Sequence, residues 1–210
     1  RRSLTLNKVP GAEEVLTGDL TSREETIELA EKVNSAGPFH TVIHNAGVYQ
    51  VSPDEIFNVN TLAPYILTCL IKKPERLIYI SSGMHVYGHL KLEKFKKNIN
   101  NISYSDSKLH VLMLSMAVAR KWSNVFSNSV DPGWVPTRMG GSGAPDDLQK
   151  GFETQTWLAV SDDEKAKVSG RYFFHKKEKH HNPEADDIML QEKFLYLCSD
   201  ITGIAFPLTW

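Results

Sequence analysis

Residues 39–70 read Phe39-His40-Thr41-Val42-Ile43-His44-Asn45-Ala46-Gly47-Val48-Tyr49-Gln50-Val51-Ser52-Pro53-Asp54-Glu55-Ile56-Phe57-Asn58-Val59-Asn60-Thr61-Leu62-Ala63-Pro64-Tyr65-Ile66-Leu67-Thr68-Cys69-Leu70. Phe39–His44 has the length and β-branched content of a strand, and Asn45-Ala46-Gly47 breaks it. Ser52-Pro53-Asp54-Glu55 then signals a helix start: a serine cap, proline at the first helical position, and glutamate three residues after the cap. Ile56, Val59, Ala63, Leu67 and Leu70 recur at helical spacing and form the buried stripe. Pro64 has no N–H, so the carbonyl of Asn60 loses its helical partner, which predicts a kink and a free acceptor there.

The same alternation extends both ways. Upstream, Glu14–Thr17 reads as a strand ending at Gly18-Asp19. Thr21–Ser35 reads as a helix with a Thr21/Glu24 capping box and an inner face of Ile27, Ala30 and Val33, stopped by Gly37-Pro38. Downstream, Leu77–Ile80 is a strand ending in Ser81-Ser82-Gly83, and Gly88–Ser103 is a basic surface insertion. Tyr104–Trp122 is a helix with Leu109, Leu112, Met116 and Ala119 inward. Val125–Val130 is a strand closed by Asp131-Pro132-Gly133, followed by a Gly/Pro-rich stretch from Trp134 to Pro145 that reads as a mobile loop. Asp146–Leu158 is a helix, Arg171–Phe174 a strand, and Pro183–Cys198 a final helix capped by Asn182. Strands alternating with helices specify an α/β fold, a doubly wound parallel sheet covered on both faces.

The chain has 210 residues, with 24 Lys and Arg against 25 Asp and Glu for a net charge of −1. Hydrophobic residues at 41% and charged residues at 23% suit one globular domain over residues 1–210 rather than a disordered chain. Balanced charge argues against non-specific nucleic-acid binding. No run approaches the roughly 20 apolar residues that span a bilayer. Two cysteines, Cys69 and Cys198, are too few for a disulfide framework and sit in apolar helical patterns, so the expectation is a cytoplasmic protein with both as core residues.

Ligands of such sheets bind at the carboxyl ends of the strands. Three strands here end in small or polar groups: Asn45-Ala46-Gly47, Ser81-Ser82-Gly83 and Asp131-Pro132-Gly133. An ordinary turn explains any one of them, but three on one edge make a candidate site. Tyr104-Ser105-Asp106-Ser107-Lys108 adds chemistry, since i, i+4 spacing puts a phenol and an ammonium on one helix face. A free tyrosine titrates near 10. A neighbouring cation favours the phenolate, which predicts a lowered pKa and a hydroxyl poised for general acid–base work. A Tyr-x-x-x-Lys pair by itself arises by chance in many helices.

In combination these residues resemble the short-chain dehydrogenase/reductase family, a Rossmann-like fold. His44-Asn45-Ala46-Gly47 is similar to the family's Asn-Asn-Ala-Gly, with His at the first position. Val59-Asn60, Ile80-Ser81-Ser82 and Tyr104–Lys108 match the helix, strand and helix that bear the family's catalytic Asn, Ser, Tyr and Lys. The resemblance implies catalytic Asn60, Ser82, Tyr104 and Lys108, with Ser81 as the alternative serine. Ser82 would hydrogen-bond the substrate oxygen and Tyr104 pass the proton. Lys108 would lower the Tyr104 pKa and hold the nicotinamide ribose, and the Asn60 carbonyl would hold a water. It further implies cofactor contacts from Asp19 and Leu20 at the adenine, from Asn45, Ala46 and Gly47, from Tyr104 and Lys108, and from Pro132, Gly133, Val135 and Thr137 at the nicotinamide. The long spacer between Ser82 and Tyr104 resembles the retinol-dehydrogenase-like and carbonyl-reductase-like branches. The implied reaction is hydride transfer between NADP(H) and a small carbonyl or alcohol.

One departure stands out. No Gly-x-x-x-Gly-x-Gly precedes Asp19, although that turn places a helix N-terminus against the cofactor pyrophosphate. The sequence therefore reads as a reductase lacking its first strand–helix–strand unit, which would leave Val42 and Ile43 at an open sheet edge. Arg1-Arg2 would follow that unit; Arg2 there would accept the 2′-phosphate of NADP, whereas an acidic residue would select NAD. A rival reading is a catalytically incompetent binding or regulatory protein of the same fold that has lost dinucleotide binding. A third, a sugar-nucleotide epimerase of the same superfamily, is opposed by the short chain after Thr137 and by the Pro-Gly loop. Residues 138–182 are a candidate substrate-side loop region, and His85, Tyr87, Trp134, Met139 and Trp157 are candidate pocket walls. His175, His180 and His181 lie among lysines that would repel a metal, so no metal site is assigned and a solvated loop is expected. The Lys91–Lys97 run reads as a solvent-facing surface, and a homo-oligomer is compatible with the sequence.

Overall fold

The computed structural model describes residues 11–90 and 101–208. A five-stranded sheet in the order β1-β2-β3-β4-β5 runs through the middle. Strands β1 (Thr41–His44), β2 (Arg76–Ile80), β3 (Phe126–Asp131) and β4 (Arg171–Phe174) are parallel, and β5 (Lys177–Glu178) turns back antiparallel on β4. The helices are α1 (Arg23–Ala36), α2 (Pro53–Phe57), α3 (Ala63–Leu70), α4 (Tyr104–Lys121), α5 (Leu148–Val160) and α6 (Ile188–Thr202). This is the doubly wound α/β class expected from the sequence.

Strand β2 shows why both faces are covered. Every residue of it is buried, and its side chains alternate between two cores. Leu77 and Tyr79 join Phe57, Ile66, Leu114 and Phe194 on one face. Ile78 and Ile80 join Val130, Leu158 and Phe173 on the other, under α5. Helix α4 is buried almost all round from Asp106 to Val118 because its Leu109, Leu112 and Met116 meet Tyr172 and Ala185, while Val111, Leu114 and Val118 enter the first core. Cys69 and Cys198 are free and buried, as expected. Leu114→Ala removes a fully packed side chain from the first core, and urea denaturation should show a loss of about 2–5 kcal/mol. A loss below about 1 kcal/mol would mean that this face is not close-packed.

Several boundaries differ from the sequence reading. Glu14–Thr17 lies outside the sheet, since no ladder pairs it among the described residues. Helix α1 is capped by Ser22, whose side chain accepts from the amide of Glu25, one residue after the expected Thr21/Glu24 pair. Asp19 pre-empts Thr21, taking both its amide and its hydroxyl at 2.9 and 2.8 Å. The final helix is split. Asn182 caps only the short 3-10 turn Pro183–Asp186, and the extended Asp187 starts α6 by accepting from Met189 and Leu190. Helix α5 starts after Asp147 rather than at Asp146. Strand β5 escaped the sequence reading because two residues carry no periodicity. Within Gly88–Ser103 the ends are core rather than surface, with Leu90 and Ile102 buried, while Lys91–Lys97 lies outside the described residues.

The helix is irregular just before Pro64. Asn58–Leu62 is a π-helical turn between α2 and α3, in which the Ala63 amide reaches back to the Asn58 carbonyl. A π-turn of this kind widens the helix locally.

Candidate active site

Parallel register brings the three polar strand ends to one edge. His44 lies opposite Tyr79, and Ile80 opposite Val130, so Asn45-Ala46-Gly47, Ser81-Ser82-Gly83 and Asp131-Pro132-Gly133 emerge side by side. Asn45 and Ala46 are exposed and Gly47 is half-buried, leaving backbone accessible. His44 is not part of that opening. It stacks on Tyr79 at 4.8 Å, pairs with Thr68 at 3.3 Å, and burial pushes its pKa down to about 4, so it is a neutral packing residue.

Helix α4 delivers the phenol and the amine. Its first turn is fixed by a capping box in which the Ser103 hydroxyl accepts from the Asp106 amide at 3.1 Å and the Asp106 carboxylate accepts from the Ser103 amide at 2.9 Å. Tyr104 is therefore the first helical residue, and Lys108 follows one turn later. The Lys108 ammonium donates to the Ile80 carbonyl at 2.8 Å and lies 5.4 Å from the centre of the Tyr104 ring. Tyr49 packs edge-on against the same ring at 4.7 Å.

Asn60 and the two serines hold different parts of the site. The Asn60 side chain accepts from the Val48 amide at 2.8 Å, and donates to the Val48 carbonyl and the Ser107 hydroxyl, both at 3.0 Å. It thus ties the Gly47 loop to α4. The Ser81 hydroxyl is buried and donates to the Lys108 carbonyl at 2.9 Å. Ser82 is half-buried, accepts from the Met84 amide at 3.2 Å, and lies near enough to the Tyr104 phenol for its hydroxyl to favour the ionised form. Of the two serines, Ser82 is the one facing the phenol.

The electrostatics correct one expectation. Burial, the largest effect, pushes the Tyr104 pKa up to about 12; the nearby Ser82 hydroxyl lowers it, and Asp131 and Tyr49 raise it. Lys108 is 5% exposed, and burial pushes it down to about 8 against the support of Asp131. The expected lowering of Tyr104 by Lys108 is absent because desolvation of the phenolate outweighs an ammonium already hydrogen-bonded to Ile80.

Other sequence candidates fall in different places. Arg2 lies outside the described residues. Asp19 organises the turn into α1 through Thr21, and Leu20 is half-buried beside it. Pro132, Gly133 and Val135 are half-buried, and Thr137 is exposed. The Trp134–Pro145 stretch is held by hydrogen bonds, including the Trp134 indole to the Gly140 carbonyl at 2.8 Å and the Trp134 amide to Asp146 at 2.6 Å. Any side chain at Gly140 would strike the Val135 carbonyl, since a Cβ there would lie 2.1 Å away. Tyr87, Trp134 and Met139 are exposed. Trp157 packs edge-on against Phe173 in the second core, which removes it from the pocket walls. His85 is also no wall, being 1% exposed. Its Nδ1 lies 2.7 Å from the Ser82 carbonyl, and its Nε2 accepts from the Asn182 amide at 3.3 Å, which puts the proton on Nδ1. His181 pairs with Asp186 at 3.1 Å, and His175 stacks on Phe174.

Two site residues were missed. Asp131 reads in sequence as the turn residue before Pro132-Gly133, yet its charge acts on Tyr104, Lys108, His85 and Tyr172. Tyr172 reads as an ordinary strand residue, and nothing local marks it as the partner of Asp131.

No protein-family model matches the chain. Relatives do. An uncharacterised oxidoreductase of Emericella nidulans is 42% identical over 212 residues, covering 95% of this chain and 82% of its own. The short-chain dehydrogenase chyC of Penicillium rubens is 42% identical over 217 residues, covering 95% and 83%. Among solved structures, the NADPH-bound carbonyl reductase from chicken fatty liver superposes with a TM-score of 0.64 at 19% identity, covering 85% of this chain and 81% of that one. The chain belongs to the short-chain dehydrogenase/reductase family and is an oxidoreductase of Rossmann-like fold. A non-enzymatic binding protein is not the reading these relatives favour. No helix among the described residues is long and apolar enough to cross a membrane.

Proposed function

We propose that the protein reduces a small aldehyde or ketone with NADPH, using Tyr104 as the general acid and Asn60, Ser82 and Lys108 as its supports. One observation carries the reading. Tyr104 and Lys108 start a capped helix that brings both groups to the strand-end edge of the sheet, where the Lys108 ammonium donates to the last carbonyl of β2 and the Ser82 hydroxyl lies near the phenol.

The residues present fit a nicotinamide and its ribose. A Cβ at Gly47 would stand 3.4 Å from the Asn60 side-chain oxygen and 3.5 Å from the Lys108 nitrogen, so glycine keeps this corner open. An ammonium has three donors, and the Ile80 carbonyl takes one, leaving donors that suit ribose hydroxyls. Asn45, Ala46, Pro132, Gly133, Val135 and Thr137 would border the ring, with Asp19, Leu20 and Arg2 toward the adenine half. A reduced nicotinamide, when bound, supplies the hydride to the carbonyl carbon. Ser82 would donate to the carbonyl oxygen, and Tyr104, protonated at neutral pH, would give that oxygen its proton to complete the alcohol. Lys108 would favour the phenolate left behind, and Asn60 would hold the loop and helix in register. Residues 138–182 would form the substrate side.

The choice of NADP over NAD draws on Arg2 and on the NADPH bound by the chicken reductase of the same fold. Supplying the full chain with reduced cofactor and a panel of aldehydes and ketones tests it. Loss of reduced-cofactor absorbance is expected with at least one carbonyl, faster with NADPH than with NADH. Silence across the panel with both cofactors would sink the reading.

A further inference from the structure

Ser82 and Tyr104 come from different elements, so their spacing depends on how those elements are joined. Ser82 caps the 3-10 turn Gly83–Tyr87, and Tyr104 opens α4. Turn and helix lie flush at Gly88, where a Cβ would stand 2.4 Å from the Ser105 carbonyl. A third segment, distant in sequence, reaches both. Asn182 grips the turn: its side-chain amide donates to the Gly88 carbonyl at 3.0 Å, and its backbone amide donates to His85 Nε2 at 3.3 Å. His85 passes that hold on, since its Nδ1 lies 2.7 Å from the Ser82 carbonyl. The imidazole is buried and meets the Tyr172 ring edge-on at 4.6 Å, which fixes its orientation. Glu184 grips the residues that follow the turn. Its carboxylate accepts from the Leu90 amide at 3.0 Å and pairs with His89 at 3.2 Å, while the His89 amide donates to Asp106 at 2.9 Å. Asp106 is the carboxylate that caps the helix beneath Tyr104. The Asn182 side-chain oxygen accepts from the Glu184 amide at 3.0 Å, which makes one unit of the two grips.

We propose that Asn182 and Glu184 are positioning residues that clamp the Ser82 turn to the start of α4, and so fix the spacing at which Ser82 and Tyr104 meet one carbonyl oxygen. The inference rests on the roles proposed for those two residues and adds what sets the distance between them. A misplacement of about 1 Å in such a pair costs about 10²-fold in rate, so a partial loosening should be visible in kcat.

Asn182→Ser tests the first grip. Serine can still cap the turn Pro183–Asp186 by accepting from the Glu184 amide, but it is too short to reach Gly88. Reductive kcat should fall by about 10-fold while cofactor affinity, read by reduced-nicotinamide fluorescence, stays at the wild-type value. On a Ser82→Ala background the same substitution should cost little further, because no hydroxyl is left to place. Unchanged kcat, or an equal fall on that background, overturns the proposal. Glu184→Ala should also slow turnover by about 10-fold, and Glu184→Gln, which keeps an oxygen for the Leu90 amide, should restore it. A glutamine variant no faster than the alanine one overturns the second grip. Amide hydrogen exchange reads the clamp without substrate: residues 83–88 should exchange faster in Asn182→Ser, and those of β2 should not. If Asn182→Ser does not fold, His85→Asn makes the same tests, since it keeps a donor for the Ser82 carbonyl and lacks the acceptor for Asn182. Inactivity of the wild type on every carbonyl would sink the proposed function. Exchange would then decide the clamp by itself, faster exchange supporting it and unmoved exchange overturning it.

Discussion

Tyr104→Phe is expected to lower carbonyl turnover by about 10²–10⁴-fold, the usual size of a lost general acid. The substitution removes one hydroxyl and little else. The ring keeps its edge contact with Tyr49 at 4.7 Å, and the capping box that starts α4 uses Ser103 and Asp106, not the phenol. Cofactor affinity, read by reduced-nicotinamide fluorescence, should therefore stay near that of the wild type while kcat collapses. The direction of the pKa shift sets the pH behaviour. Burial pushes the phenol up to about 12, so it carries its proton throughout the neutral range. Reduction should thus be unaffected by Tyr104 titration near pH 7, whereas alcohol oxidation, which needs the proton accepted, should quicken as pH rises. A phenylalanine variant with full turnover would remove Tyr104 from the chemistry.

Lys108→Met should make the protein less active and more stable at the same time. Activity should drop by about 10²-fold, the lower end of what a group supporting proton transfer contributes. Stability should rise, because the ammonium is buried and its pKa is pushed from the ordinary 10.5 down to about 8. At pH 7 the group is charged in both folded and unfolded states, and that depression amounts to at most about 3 kcal/mol of lost stability. Between about pH 8 and 10.5 the unfolded chain binds more protons than the folded one, so wild-type stability should rise across that window. Reductive activity should fall over the same range as the ammonium is lost. Methionine abolishes both trends, which urea denaturation and initial rates at several pH values would detect. A variant less stable than the wild type would mean that the hydrogen bond to Ile80 outweighs the burial of the charge.

Much of the fold was legible because its signals are local. The Ser52-Pro53 start and the alternation of short apolar runs with helical stripes are written within a few residues of the elements they define. The boundaries that slipped did so where two caps compete. Asp19 takes the Thr21 donors, so Ser22 starts α1, and Asp187 restarts a helix that Asn182 had opened. His85 is the clearest case of a residue near the site whose role the sequence misplaced. Its place beside the proposed site suggested a pocket wall, while its two ring nitrogens, bridging Ser82 and Asn182, make it a brace.

The order of residues along the chain was enough to determine the α/β class, the helix bearing Tyr104 and Lys108, and the strand ends that gather beside them. Periodicity, caps and spacing are short-range and survive without a fold. What only the tertiary structure decided is the charge balance of the site. Tyr104 is raised rather than lowered, Lys108 is depressed, and Asp131 acts on both, because desolvation and Coulomb forces depend on which chains of atoms exclude water from a group. That quantity exists only once β2, β3 and α4 have closed on one another.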